Sequence, residues 1–589
     1  MTHEIRLNDA YKGYTQDQDK IWSPEETVRR FKEKIRKVGL DILQSTLRID
    51  NGRLGIPVYF SICGREAEEV IGTKKQMGKG GTPQQAEASA VMELAERFSF
   101  FSFSKNPGNF IVEEYRNISD RALPFEIIAR SVHDDSDDLE RAKEVFSGIP
   151  LRWTEAYNLT REREVLIPFD WFFAINEFNG PSAGNCNEEA LLQGICEVVE
   201  RHVSSIISQE KKGLEALDIR SATDPLVLEM IGKYEKIGVR LFASDFSLDT
   251  GIPSVGVLAY DPSTFPQSSE IVWTAGTTPS PQKALSRALT EVAQLAGDFN
   301  TGSCYVASGL PKFRTLEEAK YAMVTGPGKP LSAMPDLSHD NIRIEVERCI
   351  SALEKIGMEV LVIDIKHPLL EIPSFYTIIP GAHFRERARD TGVGMFTAKL
   401  LTEKYSPERA MAELERMDEL MPGKYYVHFY RGTCHQAMGE EEQALACFRK
   451  ALDLNPKEQD VPTIYSYMAQ SLKNLERYQE ALSSLEEAER YDTERTDIYN
   501  LKGFCYFKLK EHERAIRSFQ RVLELDPGSA IDYANIASNY REMGDREKAK
   551  AYYRFALELD PTIEFAKENL ERLQQQEGPS SIREGRPGA

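Results

Sequence analysis

Five alanines fall at nearly even steps in the last third of this 589-residue chain. Ala410, Ala444, Ala481, Ala515 and Ala549 stand 34, 37, 34 and 34 residues apart. Each leads the same local pattern. Phe448, Ala451 and Pro456 follow Ala444; Phe519, Val522 and Pro527 follow Ala515; Tyr553, Ala556 and Pro561 follow Ala549. Leu485 and Ala488 follow Ala481 without a proline, and Leu414, Met417 and Pro422 follow Ala410 in a degenerate first copy. A second small residue precedes each alanine: Ala398, Gly432, Ala469, Gly503 and Ala537. Small residues let paired helices approach, larger apolar ones fill between pairs, and proline ends the second helix. A period of this length dictates helix pairs that bury their apolar faces only by stacking on their neighbours.

The spacing is that of a tetratricopeptide repeat, so residues 391–575 are expected to form an all-α solenoid. Residues 23–390 have a different texture. Ser23-Pro24-Glu25-Glu26 is a helix start, with a cap, a first-turn proline and a capping-box Glu. Strand-like runs at 56–60, 255–260 and 360–364 alternate with strongly helical stretches at 84–103, 187–211 and 281–297. This predicts an α+β (mixed α/β) domain of catalytic size. Residues 1–22 read as a loosely structured tail, and 576–589 as a disordered one.

Composition narrows the function. The formal net charge is −20, which argues against non-specific nucleic-acid binding. The eight cysteines (Cys63, Cys186, Cys196, Cys304, Cys349, Cys434, Cys447, Cys505) contain no C-x-x-C pair, so zinc-ribbon and thioredoxin readings fail. Sparse cysteine, no apolar run near the ~20 residues of a bilayer span, and a polar N-terminus point to a cytoplasmic protein without a membrane role.

The chemistry is written on two helices. One reads Ser89-Ala-Val-Met-Glu93-Leu-Ala-Glu96-Arg97; the other reads Glu197-Val-Val-Glu200-Arg201 after Ser182, Asn185 and Glu189. Residues three or four apart share a helix face, so each copy presents two carboxylates and a guanidinium together. A third helix adds Arg287, Glu291 and Gln294. A solvated charged face would account for one such copy. Both helices, however, are otherwise apolar and crowded, and carboxylates there need cations. Hard oxygen ligands suit Mg²⁺, and arginine suits phosphate. Gly78-Lys79-Gly80-Gly81-Thr82 is not a Walker A loop, because the glycine follows the lysine. It is either a tight turn before a helix or an anion-facing turn with Lys79 near phosphates.

Together these segments resemble the YcaO superfamily: Gly78 to Gly80, Ser89 to Arg97, Asn179 to Arg201 and Arg287 to Gln294, with Asp245-Phe246-Ser247, Ile252-Pro253, Ile372-Pro373 and Ile379-Pro380-Gly381. The resemblance implies a YcaO-type enzyme that uses ATP to activate a peptide-backbone amide. A nucleophile adds to the carbonyl, and the oxyanion attacks the γ-phosphate. A substrate side chain then gives an azoline, and external sulfide gives a thioamide. It implies that Glu93, Glu96, Glu189, Glu197, Glu200 and Glu291 hold Mg²⁺. Lys79, Ser89, Arg97, Ser182, Asn185 and Gln294 are implied nucleotide contacts. Arg201 and Arg287 are implied to lie at the phosphates as catalytic groups. Such chemistry asks mostly for positioning and charge stabilisation. No cysteine of the chain is expected to be a nucleophile.

Azoline-forming members end in a proline-rich tail, which this chain lacks; that weighs against cyclodehydration. A stand-alone branch with C-terminal tetratricopeptide repeats is closer, and it includes an accessory factor for methylthiolation of a small-subunit ribosomal protein. The expected partners are a peptide or protein substrate, and a sulfur-delivery or methylthiotransferase protein bound by the repeats. A homodimer is also expected. The competing readings are a non-catalytic nucleotide-sensing scaffold and a simple peptide–amine ligase.

Overall fold

The computed structural model describes residues 4–575 except 135, 137, 212, 213, 303, 304, 306–308, 385–390 and 527. Cys304, Pro527 and the tail 576–589 therefore lie outside the described residues. The chain divides into two compact units between Phe396 and Thr397.

Among the described residues, three sheets build the first unit. A three-stranded antiparallel sheet runs Leu43–Arg48, Val58–Cys63, Lys75–Lys79. A five-stranded sheet has the order Val272–Thr277, Ser254–Tyr260, Arg240–Asp245, Glu215–Asp218, Lys329–Pro330, with only the last pair parallel. A six-stranded sheet has the order Ile111–Glu114, Pro150–Asn158, Leu361–Asp364, Ser374–Ile378, Pro181–Ala183, and Arg163–Pro168 pairs with Pro150–Asn158.

Five helices matter for the site: α1 (Pro24–Val38), α2 (Pro83–Lys105), α3 (Asn187–Glu210), α4 (Pro281–Ala296) and α5 (Ile342–Lys355). α1 begins where its cap signal stands: Ser23 Oγ accepts from the Glu26 amide at 3.3 Å. Thr82 caps α2 in the same way, with Pro83 in its first turn. Glycines let strands press on these helices. A Cβ at Gly78 would lie 2.0 Å from the Ala90 amide of α2, and one at Gly194 of α3 would lie 2.3 Å from Thr377 Oγ1. The core of the five-stranded sheet packs against α4 and the helix Pro225–Lys236, through residues such as Val255, Val257, Met230, Leu285 and Leu289.

The segment 4–22, expected to be a loose tail, is instead an ordered strap. Lys12 is ion-paired with Asp19 (2.9 Å) and Glu345 of α5 (2.6 Å). The Gly81 amide donates to buried Asp17 at 2.6 Å, and the Ile21 amide donates to Glu189 at 2.6 Å. Polar contacts of this kind leave no apolar periodicity in the sequence, which is why the strap reads as tail.

The second unit is helical. Helix pairs Tyr425–Ala437/Glu441–Asp453, Val461–Asn474/Tyr478–Tyr491, Thr496–Lys508/His512–Leu525 and Ala530–Glu542/Arg546–Leu559 follow one another, and Glu564–Gln575 closes the series. Ala410, Ala444, Ala481, Ala515 and Ala549 are all fully buried. A Cβ at Gly432 or Gly503 would stand 2.5 or 2.6 Å from the ring of Phe448 or Phe519, so glycine is what lets the two helices of these two pairs close. No helix among the described residues is long and apolar enough to cross a membrane.

Candidate nucleotide and metal site

A cavity of ≈ 440 Å³ lies among α2, α3 and α4. Lys79, Ser89, Glu93, Glu96, Arg97, Asn185, Glu189, Glu197, Arg201, Arg287, Glu291 and Gln294 all line it. Ten of them converge on one space from three helices, joined by Lys79 at the end of a strand and Asn185 just before α3.

Ser182 and Glu200 do not line the cavity. Ser182 is fully buried, and its hydroxyl donates to the Ala190 carbonyl at 2.7 Å, tying the strand Pro181–Ala183 to α3. Glu200 is buried as well. It accepts from the Thr277 amide (3.2 Å) and from Arg287 Nε (3.0 Å). Ser182 thus braces the site, and Glu200 holds Arg287.

The remaining charges are paired within the chain. Glu93 Oε1 accepts from Arg97 Nε and Nη2 at 3.1 and 3.0 Å. Lys79 Nζ is paired with Glu291 Oε2. Arg201 lies 3.8 Å from Glu200, and Arg287 also donates to Gln193 at 3.2 Å. Glu189 takes the Ile21 and Asn185 amides at 2.6 and 3.0 Å. Burial pushes Glu96 well above the usual carboxylate range, with Glu93 and Glu197 adding to the rise. Burial raises Glu197 too, against the pull of Arg201, Arg97 and Arg287. Burial, then Arg287 and Arg201, pull Lys79 down to about 7. Carboxylates and cations gathered this closely out of water make a site that a polyanion with a divalent cation suits.

Among the described residues no three of these acids converge as a ready metal cage. That suits Mg²⁺, which keeps several waters and is held by one or two carboxylates together with substrate phosphates. The donor set is all hard oxygen, so the residues fit the ion.

Gln18 and Lys20 of the strap also line the cavity, as do Gln76 and Gln193. The sequence reading missed them. Gln193 lies four residues from both Glu189 and Glu197, so the helical spacing could have found it; Gln18 and Lys20 carried no such signal. The glycine turn is resolved in part: the Gly81 amide faces an anion of the chain itself, Asp17, while Lys79 faces the cavity. Cys186 sits at the N-cap of α3, and its thiol is pushed up to about 12, by burial first and then by Glu189. It is therefore protonated at neutral pH and a poor nucleophile.

Residues 77–383, just over half of the chain, match the family model described as YcaO cyclodehydratase, ATP- and Mg²⁺-binding. The chain belongs to the YcaO family. Its matched region is an ATP- and Mg²⁺-binding domain, and it contains every site residue named from Lys79 to Gln294. Tetratricopeptide models match 425–458, 496–529 and 533–563. An uncharacterized protein of Methanothermobacter thermautotrophicus is 27% identical over 378 residues, covering 61% of this chain and 93% of its own. The ribosomal protein S12 methylthiotransferase accessory factor YcaO of Escherichia coli is 28% identical over 297 residues, covering 46% of this chain and 48% of that protein. A heterocyclase solved in complex with substrate and cofactor shares the fold, with a TM-score of 0.53 at 20% identity, over 65% of this chain and 55% of that one. The N-terminal strap lies outside the region that the YcaO family model matches.

Proposed function

We propose that the protein is an ATP- and Mg²⁺-dependent enzyme that activates a peptide or protein backbone amide by O-phosphorylation, for thioamidation, azoline formation or a related modification. The observation that carries this is the gathering of carboxylates (Glu93, Glu96, Glu197, Glu291) and cations (Lys79, Arg97, Arg201, Arg287) around one cavity. Glu93, Glu96, Glu197 and Glu291 would hold Mg²⁺, which when bound supplies charge neutralisation around the phosphates. Arg201 and Arg287 stabilise the charge that develops on the transferred phosphoryl group, and Lys79 stands beside them. Glu200 keeps the Arg287 guanidinium fixed, so it needs no reorganisation during the reaction. Glu189 ties the strap to α3 and so holds Gln18 and Lys20 at the cavity. The amide oxygen leaves with the phosphate, and the nucleophile that replaces it comes from the substrate or from sulfide. The repeats recruit the substrate protein or a sulfur-delivery partner, since stacked helix pairs offer an extended concave surface.

A second reading has the E. coli relative behind it: accessory service to methylthiolation of a ribosomal protein. One experiment separates the two. The full chain is incubated with Mg²⁺, ATP and candidate peptides, with and without sulfide, and phosphate release and peptide mass are followed. Amide activation predicts one phosphate per modified peptide, with loss of one water or exchange of one oxygen for sulfur. Phosphate release with no mass change in any peptide would favour the accessory reading.

A further inference from the structure

The nucleotide cavity has a wall besides its three helices. It is the strand Lys75–Lys79, of which Lys75, Gln76, Met77 and Lys79 line the space. This strand is the edge of the three-stranded sheet. It pairs with Val58–Cys63 on one side and, among the described residues, with no strand on the other.

The ladder decides which way its backbone turns. The Cys63 amide donates to the Lys74 carbonyl at 2.9 Å. In an antiparallel pair, residues that bond the partner strand alternate with residues that do not. Gln76 and Gly78 therefore bond to Ser61 and Tyr59 opposite them, while Lys75, Met77 and Lys79 turn their amides and carbonyls outward. Those outward groups have no hydrogen-bond partner among the described residues.

Two packing contacts fix where the edge points. Ser61 Oγ donates to the Ala90 carbonyl at 2.8 Å, and Gly78 presses on the same residue, so one face of the sheet lies against α2. On the other face Lys79 pairs with Glu291 of α4. The edge is left facing the space between α2 and α4, which is the cavity. Open donors and acceptors repeating every second residue, about 7 Å, match one ligand chemistry: another extended polypeptide.

We propose that this edge holds the substrate as an added strand, bonded through the backbone at Lys75, Met77 and Lys79. The proposal deepens the peptide-amide reading above and rests on it. The edge runs about 13 Å, at roughly 3.3 Å per residue. Its outer end, Lys75, is exposed, and its inner end, Lys79, stands among Glu291, Arg287 and Arg201. A strand laid along it carries a backbone amide from solvent to the groups that would hold Mg²⁺ and the phosphates. Recognition through the backbone tolerates many sequences, as an enzyme acting on backbone amides requires.

The probe is a pool of random-sequence dodecapeptides selected on the full wild-type chain. The variant is Met77→Pro. The Met77 amide serves no bond inside the sheet, so proline removes only the outward donor and sets its ring against an incoming strand. Selected peptides should bind folded Met77→Pro at least tenfold more weakly. On the wild type they should slow exchange at the amides of Lys75, Met77 and Lys79 and leave those of Gln76 and Gly78 unchanged. That alternation is a readout that survives if the variant misfolds. Failure to select any peptide, equal binding to folded Met77→Pro, or absence of the alternation would overturn the proposal. So would slowing of all three outward amides by Mg²⁺ with a nonhydrolysable ATP analogue alone, which would assign the edge to the nucleotide. Peptides that bind with the expected signatures but keep their mass under Mg²⁺, ATP and sulfide would support the edge and sink the amide-activation reading. Peptides modified equally by wild type and Met77→Pro would do the reverse.

Discussion

At the heart of the first unit, Glu96, Glu197, Glu200 and Arg287 of three helices crowd together with Lys79 of a strand. At the corresponding interior of the second unit stand Ala444, Phe448, Ala481, Leu485, Ala515 and Phe519. Stability alone does not call for the first arrangement. Gathering charge out of water is expensive, and buried ion pairs at best break even against apolar packing. The second arrangement is what stability favours: small residues where backbones meet, rings where space must be filled. The buried Asp532 of the repeats accepts from Asn500 (2.7 Å) and Ser529 (2.7 Å). On the proposed function, charge in the first unit serves chemistry and the surface of the second serves recognition.

Substitutions can break this contrast. The largest effect is expected from Arg287→Ala. It removes a cation from the cavity wall and strands Glu200, so ATP turnover should fall by about 10²–10³-fold with circular dichroism unchanged. Near-normal turnover would mean that the charges are structural. Glu200→Ala should fall nearly as far, because Arg287 loses the carboxylate that orients it, and Glu200→Gln should recover part of the loss.

Phe519→Ala tests the other side. Its ring fills the space against Gly503, so truncation should destabilise the repeats by about 3–5 kcal/mol. Amide exchange should quicken across 496–525 while ATP hydrolysis continues. Loss of hydrolysis would show that the repeats support the chemistry directly.

Asp17 gives a smaller, pH-dependent effect. Burial raises its carboxyl from 3.8 to about 6, so the folded chain holds this proton more tightly than the unfolded chain. The stabilisation is complete below about pH 4 and is lost as pH rises through about 6, a change on the order of 1–3 kcal/mol. Asp17→Asn should flatten that slope in denaturant titrations. The smallest effect is expected from Cys186→Ala, whose turnover should stay within about twofold of wild type, since its protonated thiol plays no nucleophilic part.

The same contrast explains what the sequence disclosed. The repeats were legible because each buried alanine meets partners within one helix pair, so a period of 34 residues carries their packing. The acidic helices were legible because Glu93, Glu96 and Arg97 share a face through spacing alone. The sheets were not. Leu361 pairs with Asn158, and no local pattern announces a partner so distant. The contact of Glu200 with Thr277 was not legible for the same reason: which way Glu200 turns depends on where the strand Val272–Thr277 packs, a tertiary fact. The strap at 4–22 was missed because Asp17 and Lys12 hold it by polar contacts, which leave no periodicity in the sequence.

The account's central claim is that the cavity charges serve phosphorylation of an amide oxygen. A peptide that changes mass with the full chain is synthesised with a heavy oxygen isotope in its target carbonyl, and the phosphate released from ATP is analysed. The account predicts that the isotope appears in the phosphate, one atom per modified peptide. Isotope retained in the peptide or released to water, with unlabelled phosphate, would contradict it.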